Sequence, residues 1–259
     1  MKKAIATILF AVLAFTSAAQ HDRWNFYAGW TLPLGDYAKA DLASNRWALT
    51  TGGSLAGAGM GGNLGMAYHI PTRDSSRMSI ALSTDLVING VNSEIRVNRI
   101  TTLANLRRNF ATVKLTQPLF LHIPVLAGLH YETPINQKYN FYVTAQAGLG
   151  FNIITNRSAE MLGGAQPIEV GNLQLYDYSY VDHYSTKVTA AWRVAVGLTE
   201  SRHWLADLGL WGMGAVLIEG YEDFNYRAAG DRSLQQGSMV FKGDFINPLM
   251  FIARIGYRL

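Results

Sequence analysis

The chain has 259 residues, of which 49% are hydrophobic and only 15% charged, against the usual quarter, and it has no cysteine. That excludes disulfides, thiolate chemistry and a lipid-bearing cysteine behind a leader. The formal charge is +4, falling to +2 without Lys2 and Lys3, which is too little to argue for nucleic acid.

Residues 1–19 read as a cleaved signal peptide. Lys2 and Lys3 form a basic start, Ala4 to Phe15 an apolar core, and Ser17-Ala18-Ala19 a small-residue cleavage site. Residues 20–259 are then one exported domain. No later apolar run is long enough for a helical membrane span.

The first predicted strand is Trp24 to Leu34. Trp24, Phe26, Ala28, Trp30, Leu32 and Leu34 share one face. A long polar segment follows, to about Ala56. The second strand, Gly57 to Ile70, puts Met60, Leu64, Met66, Tyr68 and Ile70 on one face and mostly glycine on the other. A short turn, Pro71 to Arg77, leads to the third, Met78 to Gly90, with Asp85 on its polar face. The segment from Val91 to Thr112 carries Arg96, Arg99, Arg107 and Arg108, and suits a short helix near Ile100 to Phe110 or a strand extension.

The fourth strand, Gln117 to Tyr131, contains Pro124, where a bulge is expected because proline cannot donate to the ladder. After a turn at Thr133 to Tyr139, the fifth strand alternates cleanly from Phe141 to Ile153. The longest insertion, Thr155 to Tyr184, includes Tyr176, Tyr178, Tyr180 and Tyr184. The sixth strand sets Val188, Trp192, Val194 and Val196 against Lys187 and Arg193. The seventh, Trp204 to about Leu217, sets Trp204, Leu208 and Leu210 against Asp207. A last long segment, Glu219 to Asp244, returns to Phe251-Ile252-Ala253-Arg254-Ile255-Gly256-Tyr257-Arg258-Leu259, with Arg254 and Arg258 on its polar face.

Eight strands thus alternate apolar and polar faces, and their connections alternate long, short, long, short, long, short, long. This pattern predicts an all-β fold: an eight-stranded antiparallel up-and-down transmembrane barrel, with short periplasmic turns and long extracellular loops. A soluble barrel with an apolar interior is the competing arrangement. Two features argue against it. The polar face is mostly Gly, Ser and Thr, which suits a narrow lumen. The apolar face is too wide and aromatic to fit inside a small barrel.

The closing strand resembles that of bacterial outer-membrane barrels. Those usually end on Phe or Trp, whereas here Tyr257 supplies the aromatic. Leu121-His122-Ile123-Pro124-Val125-Leu126 resembles a stretch of the PorT-like outer-membrane β-barrel family. The resemblance implies an integral outer-membrane protein, sometimes an accessory to secretion or surface assembly.

Other motifs are weaker. Gly57-Ala58-Gly59-Met60-Gly61-Gly62 fits G-x-G-x-x-G, but it lies inside a strand with no helix after it, so glycine is expected to relieve crowding there rather than to bind a nucleotide. His122 and His130 are eight residues apart, about 26 Å along a strand, too far to share a metal, and no metal or cofactor is expected. Asp177, Ser179, Asp182, His183 and Ser185 could form a loop hydrolase acting on lipid A or peptide, but no G-x-S-x-G elbow occurs. A narrow pore is the other alternative. The preferred expectation is a non-enzymatic surface barrel with a plugged lumen, meeting lipopolysaccharide and a protein or glycan partner through its loops. The four loop arginines and four tyrosines are the candidate recognition residues.

Two groups of strand residues complete the reading. Trp24, Tyr68, Tyr131, Phe141, Trp204 and Tyr257 fall at one depth and should form a periplasmic aromatic girdle. Lys187, Arg193, Arg254 and Arg258 face the lumen with only Asp85 and Asp207 as strand acids. Asp207, between the strands of Arg193 and Arg254, should pair with one or both of them and help close the lumen.

Overall fold

The computed structural model describes residues 24–38, 57–72, 77–91, 110–164, 168–170, 173–200, 203–228 and 233–259. Eight strands close into a barrel: β1 (Trp24–Leu34), β2 (Ala58–Pro71), β3 (Met78–Val91), β5 (Phe120–Pro134), β6 (Tyr139–Ile154), β10 (Lys187–Glu200), β11 (Trp204–Met213) and β14 (Leu249–Arg258). Each pairs antiparallel with its neighbours, and β1 meets β14 to complete the ring, with Asn25 opposite Arg258 and Leu34 opposite Leu249. Closure leaves no open strand edge within the ring.

Period-two alternation explains the two surfaces. Trp30, Leu64, Leu82, Leu129, Leu149, Val194, Leu208 and Ile255 stand exposed on the outside. Asn25, Thr31, Asn63, Asp85, His122, Gln146, Arg193, Asp207 and Arg254 are buried inside. A soluble barrel would reverse this. An apolar outside continuous around the ring and a polar inside belong to a transmembrane barrel. Among the described residues no helix is long and apolar enough to cross a membrane.

Six further strands lie in the long connections: β4 (Phe110–Thr116), β7 (Arg157–Gly164), β8 (Ile168–Val170), β9 (Leu173–Tyr184), β12 (Val216–Ala228) and β13 (Gln235–Ile246). Five of them form a second sheet in the order β13-β12-β9-β7-β4, and β8 adds to β9. That order repeats β14-β11-β10-β6-β5 of the barrel. Each of these five joins its barrel strand through two or three residues, such as Thr155–Asn156, Ser185–Thr186, Gly214–Ala215 and Asn247–Pro248. Backbone bonds bridge the breaks: Met213 N–H donates to Pro248 O at 2.8 Å and Ser185 N–H to Glu219 O at 2.9 Å. The upper sheet is therefore a continuation of five adjacent barrel strands, like a palisade on one side of the mouth.

Two expectations need correction. The seventh strand does not run unbroken to Leu217; it stops at Met213, and Val216 begins β12. Pro124 causes no bulge. Its ladder to β6 stays in register, with Pro124 opposite Gly150. Toward β3 the pairing lapses between Thr84–Val125 and Val87–His122, then resumes with the count unchanged. The missing N–H is absorbed as a local gap rather than an inserted residue. The helix considered near Ile100, and Arg96, Arg99, Arg107 and Arg108, lie outside the described residues, as does the leader.

Candidate functional site: the barrel lumen and its mouth

The lumen is filled in layers. At the short-turn end, Arg258 donates to Glu132 Oε2 at 2.9 Å and to Asn25 Oδ1 at 3.2 Å. Glu132 also accepts from Asn140 at 2.8 Å. Glu132 is a lumen acid beyond the expected end of the fourth strand at Tyr131; the strand runs on to Pro134. His130 hydrogen-bonds Thr144 at 2.8 Å, and its ring stands edge-on to His69 at 4.4 Å.

The middle layer is an ion network. Arg254 Nε donates to Asp207 Oδ1 at 2.8 Å, and its Nη2 meets Asp207 Oδ2, so the contact is bidentate. The third nitrogen, Nη1, reaches Asp85 Oδ1 at 3.1 Å. Arg193 Nη1 completes the set on Asp85 Oδ2 at 3.2 Å. Tyr142 donates to Asp207 at 3.1 Å, and the Arg254 guanidinium lies 4.1 Å from the Tyr27 ring centre. Two acids thus face two arginines, with side chains of all four at most 5% exposed. Asp207 pairs with Arg254 across neighbouring strands, since the two are ladder partners. Arg193 instead crosses the lumen from β10 to Asp85 on β3.

Glycines make the space. A methyl on Gly65 would overlap the Asp85 carboxylate, and one on Gly197 would meet the Tyr142 ring. Both oppose the group they accommodate: Gly65 is the partner of Asp85, and Gly197 that of Tyr142.

Above the ions, His122 hydrogen-bonds Asn152 at 2.8 Å and Tyr37 Oη at 2.5 Å. Asn89 donates to Thr31 at 2.8 Å. Tyr37 belongs to a 3₁₀ turn, Gly35–Ala38, that follows β1 and tucks into the mouth. It is fully buried, edge-on to Phe120, while Trp211 meets His122. Around and above it lie Val87, Val91, Ile154, Met213, Val216, Ile218 and Ile246 as one apolar cluster, with Tyr184 and Phe241 of the upper sheet packed on it. An ion layer thus lies below and an apolar layer above.

At the mouth, Arg157 Nε pairs with Asp182 Oδ2 at 2.8 Å, both buried. Tyr184 donates to Asp182 at 3.3 Å and Tyr178 to Glu222 at 3.4 Å. Asp182 and Glu222 are direct ladder partners on β9 and β12. Burial, and then the Asp182 carboxylate beside it, raise Glu222 to about 7. Burial raises Tyr178 and Tyr184 as well. Tyr178 and Tyr180 continue upward into a second apolar cluster with Phe110, Val113, Met161 and Leu175. Tyr176 is more exposed, next to the register shift at Arg227/Ala228.

The other predicted residues disperse. Lys187 pairs with Glu219 at the mouth, away from the ion network. Trp24 and Tyr68 are ladder partners with rings 4.9 Å apart, as are Trp204 and Tyr257 at 5.5 Å. Tyr131, Trp204 and Tyr257 are exposed at the short-turn end, with Trp24, Tyr68 and Phe141 part-covered. The loop Ser/His/Asp set does not converge. Asp182 faces Arg157, whereas His183, its neighbour in an extended strand, meets Asp223 at 3.4 Å and Asn156 at 3.2 Å and stacks on Tyr221. Among the described residues no serine hydroxyl bonds to His183.

No family model matches the sequence, and no curated protein does. Solved structures do resemble it in outline. Ail, the attachment invasion locus protein of Yersinia pestis, aligns over 93% of this chain and 100% of its own, at 11% identity and a TM-score of 0.33. The outer-membrane protein AlkL, solved in lipid bilayers, covers 93% and 94%, at 13% and 0.40. A major outer-membrane protein of Thermus thermophilus covers 91% and 99%, at 8% and 0.39. Likeness this distant carries no functional argument.

Proposed function

We propose that this protein is an integral outer-membrane barrel that presents a rigid surface sheet and conducts nothing. The closed lumen carries the reading: Arg254 bound to both Asp85 and Asp207, beneath the buried Tyr37 layer. A pore needs a continuous wet path, and two buried layers across the lumen argue against one. The upper sheet is then the part that meets other molecules. It faces outward from the cell, because short turns belong on the periplasmic side. Its role is that of a non-enzymatic interaction or assembly-accessory element, in contact with lipopolysaccharide and with a protein or glycan partner. The resemblance of Leu121 to Leu126 to the PorT-like family supports an accessory role in secretion.

Vesicle swelling tests the closed lumen. Protein-loaded vesicles should exclude a small sugar as well as protein-free ones do; rapid swelling would overturn the reading. For orientation, protease added to intact cells should cut the long connections near Arg46, Arg107, Asp177 or Arg227. Cleavage confined to the turns at Pro71 to Arg77 and Thr133 to Tyr139 would show the barrel inserted the other way.

A further inference from the structure

The mouth cluster has a charge arithmetic unlike that of the lumen. Asp182 and Glu222 stand opposite each other in the β9–β12 ladder, so their carboxyls share one face. The groups that meet them from each side are few. From β7 comes Arg157, and from β9 the hydroxyls of Tyr178 and Tyr184, with Tyr180 over Arg157 at 5.4 Å. From β13 the ladder partner of Glu222 is Met239, which carries no charge. The nearest lysine on that strand, Lys242, is the ladder partner of Glu219, not of Glu222. Among the described residues, one arginine therefore faces two acids. Arg157 pairs with Asp182, and Tyr178 donates to Glu222.

Two adjacent carboxylates with one cation are stable only if one carboxyl keeps its proton, which it can donate to the other. We propose that Glu222 keeps its proton and turns it toward Asp182, and that this proton clasps β9 to β12 at the junction between the barrel and the upper sheet. The clasp lies between two apolar clusters. Tyr184 packs on the apolar plug of the barrel, and Tyr178 and Tyr180 belong to the core of the upper sheet. When the proton leaves, an uncompensated negative charge remains between them. The two strands then loosen at their base, and the sheet loses its fixed seat on the mouth. The device makes the surface sheet responsive to the pH outside the cell.

The direction of the pH effect is set by the raised Glu222. An acid that holds its proton more tightly when folded contributes most below its unfolded value. The contribution fades as pH rises through the folded value of about 7. The upper sheet should therefore be firmest in mild acid and looser in mild alkali.

Hydrogen–deuterium exchange on the full-length protein in lipid nanodiscs tests this, with rates corrected for the intrinsic effect of pH. Protection of peptides from 175–184 and 216–228 should fall by about tenfold between pH 5.5 and 8.5, which corresponds to one unit of differential pKa. Peptides from β5 and β6 should stay unchanged. Glu222→Gln, which mimics the protonated acid, should keep the protection and abolish the step. Infrared titration of the wild type, which needs no variant to fold, should show a protonated-carboxyl band lost with a midpoint between about 6 and 8. Flat protection in the wild type, a pH step that survives in Glu222→Gln, or no titrating band in that range would each overturn the clasp.

Discussion

The lumen and the mouth solve the same electrostatic problem in opposite ways. In the lumen, Asp85 and Asp207 face Arg193 and Arg254, and every carboxylate has at least two donors. At the mouth, among the described residues, one arginine, Arg157, meets the ladder partners Asp182 and Glu222. A buried charge is tolerable when it is paired, and otherwise the group gives up its charge. The balanced network can be permanent. The unbalanced one holds only while it keeps a proton, so the same residue types make a fixed plug in one place and a titrating joint in the other.

The comparison can be broken most forcefully at Arg254. Arg254→Met leaves Asp207 without a cation and Asp85 with Arg193 alone. The cost should be about 3–5 kcal/mol in urea unfolding from detergent. Adding Asp207→Asn to that variant should restore part of the loss, because the orphaned charge goes with it. Asp207→Asn alone should cost less, about 3 kcal/mol, since Arg254 keeps Asp85 and Tyr142 keeps an acceptor.

Gly65→Ala attacks the space rather than the charge. Its methyl meets the Asp85 carboxylate, so the network must shift, at about 1–3 kcal/mol. Balancing the mouth should sharpen the contrast. Met239→Lys sets a cation opposite Glu222 and should move the midpoint of the pH step at least about one unit toward acid, as nuclear magnetic resonance of the Glu222 carboxyl would read. The smallest effect belongs to an exposed pair. Lys114→Ala breaks a contact to Glu160 whose side chains are 71% and 38% exposed, and should change stability by less than about 1 kcal/mol.

How much of this was written in the sequence follows from where alternation holds. The barrel strands alternate cleanly, so their existence, number and inward residues could be read from period two, Asp85, Arg193, Asp207 and Arg254 among them. The glycine-rich face of β2 was readable as relief of crowding, and Gly65 beside Asp85 gives it a specific reason. The pairing itself was only half readable. Asp207 and Arg254 lie on adjacent strands, but Arg193 crosses the lumen to Asp85, and distances across a closed ring are set by closure rather than by spacing along the chain.

The upper sheet was not readable. Its strands pack aromatic and charged residues together on one face, as Tyr178, Tyr180, Asp182 and Tyr184 do on β9, so the polarity signal that marks a half-buried strand is lost. Tyr37 was missed because it plugs the mouth from a single 3₁₀ turn, too short for any period. Glu132 was missed because the strand was ended at its aromatic, whereas β5 continues three residues past Tyr131.

The most direct test of the central claim is single-channel recording of the purified full-length protein in a planar bilayer at pH 6, where the mouth is clasped. The closed lumen predicts no steady channel in the wild type. Opening of the ion layer in Asp207→Ala should give at most brief, unstable events, because the Tyr37 layer remains. A large, steady wild-type conductance would contradict the account.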